Sequence, residues 1–461
     1  MTHRPARAAA LALAALAAGC STPPAHDTES TIADATGLAA PVEFRTEGGP
    51  LDEPGAPEVA LTLSEAVRLA VTTDPGLQAA LARVRVALAD AGQARLLPNP
   101  VLGLVLRFPE GSGKPVVEAS LVQDIVSVLR IPRAVSAADN RLRAAAADAV
   151  TVALDTAAEV QERYAGVQAL DELMPVLRTR QDLLARLLSQ ERDRLAAGEG
   201  TRQGVATLDT QRIELEVEIA DREREERDER LRLARLIGRP SSAADWTLDP
   251  WSTPRHPAAP EADWVEVALA RRPEVQGAAW KLAALGDEVA LARLLPLDGA
   301  SAGVGAERDE AWSVGPSVDL PIPVFDTGGA RVDRAMAERV EARHELVRVK
   351  RRVVEDVRRA YESFGRSEAN LRRVRRELIP LQEQRRSLAE DTFRAGHSDI
   401  TALFLAEQDL RAAHARAVEL EREASVALIR LQRAVGGAGV AATVGAVPPS
   451  APSTQTSANT N

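Results

Sequence analysis

Histidine, cysteine and glycine are the residue types in this chain whose spacing could support metal, nucleophilic or phosphate chemistry. A zinc site needs Cys or His ligands at short, regular spacings, but the histidines beyond residue 20 are far apart. They are His26, His256, His344, His397 and His414. Gly328 and Gly329 lack the strand, lysine and helix that surround a phosphate-binding loop. The sequence therefore predicts no enzyme, no metal site and no resident cofactor.

Cys20 is the only cysteine in the 461 residues, which excludes an intramolecular disulfide. Arginines and an apolar run precede it, a pattern typical of a secretory signal peptide over residues 1–19. Residues 16–20 resemble a bacterial lipobox, in which the signal is cut before a cysteine that becomes lipidated. Ser21 resembles the sorting pattern for the outer membrane. A covalent lipid on Cys20 would anchor the chain at about 0.8 kcal/mol per buried CH₂. Ordinary cleavage with an unmodified cysteine is the alternative.

The composition favours long helices over a compact globular core. Charged residues make up 27% and aromatic residues 3%, which suits helices that pack through Leu, Ala and Val. The formal net charge is −10, and removal of a signal peptide that contains Arg4 and Arg7 would make the mature chain more acidic. An acidic surface without a basic stripe argues against nucleic acid as a partner.

The chain is a tandem duplication, because landmarks recur at a constant interval of 198 residues. The paired landmarks are Pro75 and Pro273, Pro98 and Pro296, Arg133 and Arg331, Gly198 and Gly396, and Gly238 and Gly436. We therefore predict one structural unit made twice. The predicted divisions are a signal peptide (1–19), a lipid-anchored linker (20–60), a first repeat (61–238), a linker (239–261), a second repeat (262–436) and a disordered tail (437–461).

Each repeat contains two segments with strand periodicity. In residues 101–108 and 300–306, apolar side chains alternate with small or polar ones, and each segment is followed by a loop and a second candidate strand, at 116–125 and 312–320. One apolar face and one small or polar face are typical of membrane barrel strands, although the signal of each segment is weak. We predict two β-hairpins.

Long helical runs follow each hairpin. The predicted helices are 133–195 with a return helix at 202–237, and 331–393 with a return helix at 399–435. The runs 61–97 and 262–295 are each predicted to be helical, the first ending at Pro98 and Pro100. Each long pair reverses at a glycine, Gly198 or Gly396, and Ser398 and Asp399 can cap the second return helix. Pro175 and Pro380 predict local kinks.

Four strands facing lipid cannot stand alone, since their outer edges would leave backbone N–H and C=O groups unpaired in hydrocarbon. The sheet must close with copies of itself. Two chains would give eight strands and three would give twelve, wide enough for an aqueous lumen. Long helices that continue from small, polar strand faces favour the trimer.

Four stretches resemble the TolC family of outer-membrane efflux channels: LTLSEAVRLAVTTDPGLQAA (61–80), ARLLPNP (94–100), LAAGEGTRQGVATLDTQRIEL (195–215) and FRAGHSDITALFLAEQDL (393–410). The resemblance implies a mainly α fold with a β-barrel part, in which three chains form a twelve-stranded barrel continuous with a periplasmic α-helical barrel. It implies the outer membrane of a Gram-negative bacterium as the location. It also implies a passive homotrimer that docks a periplasmic adaptor and an inner-membrane pump.

The resemblance also assigns candidate site residues at the two helix reversals. Those expected at the adaptor-docking surface are Gly198, Thr201, Gly204, Gly396, Asp399 and Thr401. Gate candidates are Arg202, Asp399, Ala402 and Leu405, with Arg202 and Asp399 able to pair between neighbouring hairpins. Ala402 and Leu405 stand where some family members carry aspartates, so an acidic ring is not expected here. Solvated helix-end charges and plain glycine C-caps are the simpler interpretations.

A lipid-anchored periplasmic coiled coil that conducts nothing, as an adaptor or structural spacer, is the alternative function. Adaptors typically have one helical hairpin flanked by β-rich domains, whereas this sequence alternates two hairpins with two strand pairs. The duplication therefore favours the channel.

Overall fold

The computed structural model describes residues 27–53, 60–108, 115–251, 259–308, 311–395, 397–398 and 400–444, with only the backbone at 400 and 401. The chain is mainly helical with one antiparallel sheet, as predicted. The chain divides into two compact units. The sheet unit contains Ala79–Ala149 and Pro273–Arg351, and the hairpin unit contains Glu29–Gln78, Val150–Arg272 and the residues from Arg352 onward.

The described elements alternate in the order that the duplication predicts. In the first half they are α1 (Thr28–Thr36), β1 (Ala60–Leu61), α2 (Leu63–Thr73), α3 (Pro75–Gln93), β2 (Val101–Arg107), β3 (Val116–Asp124), α4 (Ile125–Ala196), α5 (Arg202–Leu236) and β4 (Thr247–Leu248). In the second they are α6 (Glu261–Arg271), α7 (Pro273–Leu294), β5 (Ser301–Arg308), β6 (Trp312–Asp319), α8 (Gly329–Arg373), a π-helical turn (Val374–Leu378), α9 (Ile379–Arg394), α10 (Ile400–Val435) and α11 (Ala438–Ala441). A short 3₁₀ turn, Leu295–Leu297, precedes β5.

Both predicted β-hairpins are present, with strand bounds within two residues of the predicted ones. They join into one four-stranded antiparallel sheet in the order β2-β3-β5-β6. The central pair runs from Val117 opposite Arg308 to Asp124 opposite Ser301, so the two repeats meet at β3 and β5. Backbone hydrogen bonding therefore continues across the repeat boundary.

The predicted helical runs 61–97 and 262–295 are each two helices, not one. Asp74 and Arg272 have extended backbone angles (ψ 116° and 127°) and end α2 and α6, and a proline follows each. Proline clashes with helical geometry at the preceding residue, which explains both breaks. The sequence contained this signal at Pro75 and Pro273, but the apolar periodicity on either side concealed it.

Three further expectations differ from the structure. The linker predicted over 20–60 contains helix α1, whose Ile32 is fully buried. The tail predicted to be disordered from 437 contains α11, and a methyl group added at Gly437 (φ 111°) would lie 2.2 Å from the Ala35 carbonyl oxygen. Pro175 lies inside the continuous α4, whereas Pro380 is the second residue after the π turn.

Leucine seams hold the hairpin unit together. One buried cluster combines side chains of α4, α5 and α10: Met174, Leu177, Leu184, Leu187, Leu215, Ile219 and Phe404. Two smaller clusters join α8 to α10, one around Phe364 and one around Leu371 and Leu420. Burial of such side chains contributes about 1.5–3 kcal/mol each relative to exposure.

Candidate functional site

The four-stranded sheet has two chemically different faces, set by its register. Cross-strand partners on one face are apolar: Leu104 opposite Ala119, Leu121 opposite Val304, and Val304 opposite Pro316. Side chains alternate along each strand, so the intervening residues share the other face. There Ser120 lies between Gly103 and Gly305, and Gly305 lies opposite Gly315. The predicted contrast between the faces therefore holds around Ser120, whereas Val101, Val105 and Val122 place apolar side chains on the same face as Gly103.

The apolar face is exposed in the single chain. Leu102, Leu104, Leu106, Val314 and Val318 are all more than 60% exposed. Soluble monomers rarely expose contiguous apolar patches of this kind, and such patches mark membrane or protein contact surfaces. The outer strands β2 and β6 each have one neighbour in the sheet, which leaves one edge of each available for pairing.

The polar face carries charge toward the β2–β3 loop end. Glu118 lies opposite Glu307 across β3 and β5, and Arg107 forms an ion pair with Glu118 at 2.9 Å. Two carboxylates directly opposite one another repel, so a neighbouring arginine and access to water stabilise this arrangement. Gly103 approaches Ser120 so closely that an added methyl group would lie 2.6 Å from its Oγ. The face is therefore suited to contact with water.

The first helix reversal is a glycine C-cap followed by a threonine N-cap. Gly198 has φ 83°, a left-handed conformation that favours glycine. The N–H groups of Glu199 and Gly200 donate to the Arg194 carbonyl at 2.8 and 3.0 Å. Thr201 Oγ1 accepts from the Gly204 N–H at 2.9 Å and so caps α5. Gly198, Thr201 and Gly204 thus lie together at this reversal.

Glu191 is a further residue of the first reversal that the sequence did not single out. It is buried and accepts a hydrogen bond from the Thr201 N–H at 3.3 Å. A methyl group added at Gly204 would lie 2.8 Å from Glu191 Oε1, so the glycine leaves room for this carboxylate. A charged residue seven positions before the glycine gave no sequence signal, because most helical glutamates are solvated. Arg202 is exposed at the first position of α5.

At the second reversal, Gly396 and Asp399 lie outside the described residues, as does Cys20. The His397 N–H donates to the Thr392 carbonyl at 2.9 Å, and the Thr392 and Ser398 hydroxyls are 3.2 Å apart. Thr401 lies in the first turn of α10. The gate candidates Ala402 and Leu405 are both exposed.

Phe404, between these two gate candidates, is buried in the cluster with Leu184 and Leu215. Phe393, near the end of α9, packs against the same cluster. The structure therefore brings the two hairpins together near their reversals, a contact that the sequence analysis did not predict. The helical spacing of Phe404 with Ala406 and Leu410, which are also buried, was the available signal.

Tyr164 holds three segments of the hairpin unit together. Its hydroxyl donates to the Leu61 carbonyl at 2.8 Å and accepts from the Asp249 N–H at 2.7 Å. Leu61 and Leu248, next to Asp249, are partners in the short parallel pair of β1 and β4. Burial, the largest cause, raises the pKa of Tyr164 to about 12.

In the described ranges, no cluster of three or more His, Cys, Asp or Glu side chains could hold a metal ion. Within those same ranges, no helix combines the length and apolar content needed to cross a bilayer. The chemistry that the described structure offers is therefore that of surfaces: an exposed two-faced sheet and two packed helix reversals.

Residues 264–437 match the outer membrane efflux protein family. The matched part corresponds to the second half of the duplication. No curated protein sequence matches the chain.

Several solved structures share the fold. The outer-membrane channel OprN has 19% identity and a TM-score of 0.68, covering 86% of this chain and 99% of that one. The outer membrane protein VceC of Vibrio cholerae has 19% identity and a TM-score of 0.67, covering 81% and 96%. CusC, a transmembrane channel, has 15% identity and a TM-score of 0.67, covering 87% and 99%. The fold that the resemblance to TolC-type channels implies is therefore confirmed, and the titles of the OprN and CusC structures describe channels.

Proposed function

We propose that this chain is the exit duct of a tripartite efflux or secretion system in the outer membrane of a Gram-negative bacterium. The observation that carries the proposal is the four-stranded sheet, with an exposed apolar face, a small and polar face, and one open edge on each outer strand. Unpaired backbone groups in hydrocarbon cost several kcal/mol each, so β6 of one copy would pair with β2 of the next. Three copies give a twelve-stranded barrel around water.

The duct is passive in this proposal. Transport direction would come from an inner-membrane pump, joined through a periplasmic adaptor. The exposed apolar strand face would contact lipid, and the face of Gly103, Ser120 and Gly305 would line the pore. Substrate selection would then lie with the pump.

The test is reconstitution of the purified protein. We expect detergent-solubilised trimers that give single-channel conductance in planar bilayers. A protein that is monomeric and soluble without detergent, and that does not conduct, would instead support a non-conducting periplasmic coiled-coil lipoprotein. A second variant replaces Val314 with aspartate, which would put a charge on the lipid-facing side and should weaken insertion.

Adaptor docking is assigned to the two reversals, at Gly198, Thr201, Gly204, Gly396, Asp399 and Thr401. The rigid capping at Gly198 and Thr201 supports a shaped contact surface at the first of them. Gly198→Asp and Gly396→Asp should abolish copurification of the adaptor while leaving conductance intact. If the adaptor still copurified with these variants, the assignment of docking to the two reversals would be wrong.

Gating is assigned to Arg202, Asp399, Ala402 and Leu405. The exposure of Arg202, Ala402 and Leu405 leaves their side chains available to neighbouring copies. Arg202→Glu should increase both conductance and leakage of a bulky antibiotic into cells, with Arg224→Glu, farther along the same helix, as the control. Equal leakage in the two variants would argue against a gate at Arg202.

Membrane anchoring is assigned to a covalent lipid on Cys20. Mass spectrometry of the mature protein should show an acylated N-terminal peptide that begins at Cys20. An unmodified cysteine, or cleavage at another residue, would exclude the anchor without affecting the proposed channel.

A further inference from the structure

An exposed apolar segment joins β6 to α8 within the sheet unit. Its residues, 320–325, have the sequence LPIPVF, and we call this segment the strap. Its aliphatic side chains other than proline are 68–82% exposed, and the Phe325 ring is fully exposed. The aliphatic residues are Leu320, Ile322 and Val324. Exposed apolar runs of this kind mark contact surfaces, so the strap requires a partner.

A turn fixes the end of the strap that precedes α8. The Gly328 N–H donates to Asp326 Oδ1 at 2.9 Å, and Asp326 also forms an ion pair with Arg331. Gly328 is buried, and a methyl group added to it would lie 2.6 Å from Pro296 Cγ. The strap is therefore held on the sheet unit while its apolar side chains stay uncovered by the described chain.

The first repeat has no strap at the equivalent place. There β3 ends at Asp124 and α4 begins at Ile125. Val126, which is equivalent to Val324 at the interval of 198 residues, is only 4% exposed. The exposed strap is therefore a feature of the second repeat and not of the plan that the repeats share.

The strap continues the apolar row of β6. Apolar residues occupy every second position from 312 to 324: Trp312, Val314, Pro316, Val318, Leu320, Ile322 and Val324. The members within β6 belong to the exposed apolar face of the sheet. A strand needs about 9–11 residues to cross the hydrocarbon core of a membrane, and β6 has eight. The strap supplies the missing length on the side of the sheet from which the helices continue.

The backbone of the strap suits the boundary between acyl chains and head groups. Pro321 and Pro323 have no N–H, and the Val324 N–H donates to the Ile322 carbonyl at 2.8 Å. Half of the positions in the strap therefore present no free donor. Unpaired backbone groups are excluded from the hydrocarbon centre, but at the boundary water can reach the remaining ones.

We infer that the strap lies in the membrane leaflet nearest the helices, with phospholipid acyl chains around Leu320 and Ile322 and head groups at the level of Phe325. Aromatic residues select lipid as the occupant. Trp312 begins the apolar row and Phe325 follows its last member, so rings stand at both ends, as in the aromatic girdles of membrane strands. The inference rests on the proposed function and extends the lipid contact beyond the end of β6.

The test is fluorescence quenching of the full-length protein in vesicles of phosphatidylethanolamine and phosphatidylglycerol. The fluorophore NBD is attached at Ile322→Cys, at Val314→Cys on the apolar strand face, or at Ser313→Cys on the polar face. Wild-type protein measures any label on Cys20. Phosphatidylcholine with a nitroxide near the head group should reduce the emission of Ile322→Cys by about twofold or more, because the label lies at the boundary. Iodide in the water should quench Ser313→Cys strongly and Ile322→Cys weakly.

The outcomes separate this inference from the proposed channel. Lipid quenching at Val314→Cys but not at Ile322→Cys would overturn the strap contact and leave the membrane sheet intact. Iodide quenching at Ile322→Cys would show that the strap faces water. Protection from both quenchers would show that a second copy or another protein covers it, and either result overturns the inference. No lipid quenching at Ile322→Cys or Val314→Cys would remove the channel as well.

Phe325→Trp gives an independent measurement without a label. The chain has five tryptophans, and a sixth at the level of the head groups should raise the fraction of tryptophan emission that brominated phospholipid quenches. A fraction no higher than that of the wild-type protein would contradict the inference.

Discussion

The two helical hairpins descend from one repeat, yet they differ at equivalent places. In the first, α4 runs from Ile125 to Ala196 without interruption. In the second, the equivalent run is broken by the π turn at Val374–Leu378, where the Ile379 N–H bonds to the Val374 carbonyl. Pro380 would clash with the carbonyl of Arg376 in a regular helix, and the wider turn relieves that clash. The two repeats therefore share the order of elements in the hairpin. In the second repeat, the π turn beside Pro380 shifts by one residue which side chains of the helix face the core.

The reversals differ in a similar way. Glu191 supports the first reversal through the Thr201 N–H, whereas its equivalent in the second repeat is Ala389, which has no polar side chain. At the second reversal, a hydrogen bond joins the hydroxyl groups of Thr392 and Ser398. Repeat symmetry therefore sets where the chain turns, and individual side chains set how each turn is stabilised.

The largest expected effect comes from deleting one residue at equivalent places in the two hairpins. Deletion of Arg178 would rotate the following residues of α4 by about 100° and move Leu184 and Leu187 out of the core, at a cost of more than about 4 kcal/mol. Deletion of Arg376 together with Pro380→Ala would convert the π turn to a regular helix without the proline clash and keep Ile379 inward. Thermal unfolding followed by circular dichroism should show a far lower Tm for the first deletion only. Equal losses would show that the π turn is not a one-residue insertion.

The next effect concerns the cluster that joins the hairpins. Phe404→Ala should reduce the free energy of unfolding by about 3–5 kcal/mol, because the ring is buried among leucines of α4 and α5. Leu405→Ala, on the adjacent exposed position, should change it by less than about 0.5 kcal/mol. Denaturant titration of both variants measures the difference. Similar losses would mean that Phe404 does not couple the hairpins.

A smaller effect is expected at the first reversal. Glu191→Ala leaves the Thr201 N–H without its carboxylate acceptor and should cost about 1–2 kcal/mol. Glu390→Ala on the second hairpin is the control, since among the described residues its carboxylate pairs with Arg386 and Arg394 of its own helix. Hydrogen exchange at residues 197–204 should rise in the first variant and remain unchanged in the second. A rise in both would indicate general destabilisation.

The smallest effect appears only in alkaline solution. Because the pKa of Tyr164 is raised to about 12 in the folded protein, its stabilising contribution is complete below pH 10 and is lost as the pH rises toward 12. The chain has two tyrosines, so Tyr361→Phe isolates the absorbance titration of Tyr164. We expect a midpoint near 12 and a matching fall in Tm, which Tyr164→Phe should remove. A midpoint near 10 would contradict the buried hydroxyl.

Sequence periodicity predicted the strands and return helices closely because the duplication supplied each pattern twice. It did not predict the breaks at Asp74 and Arg272, where backbone geometry before proline overrides apolar spacing. It also missed the π turn, since a one-residue phase slip is invisible without the partner helix. Glu191 and Phe404 became recognisable only once the hairpins were packed, because their roles depend on contacts distant in sequence.

Helix α1 packs beside Gly437 and Gly439, so residues near the two ends of the chain meet in one unit. In the proposed export of the chain, the N-terminal segment would emerge first, and its site of contact would emerge more than 400 residues later. The hairpin unit therefore cannot complete its fold while translocation is under way. Until then its leucine seams are open to chaperones, and release from the secretion machinery becomes the step that permits maturation.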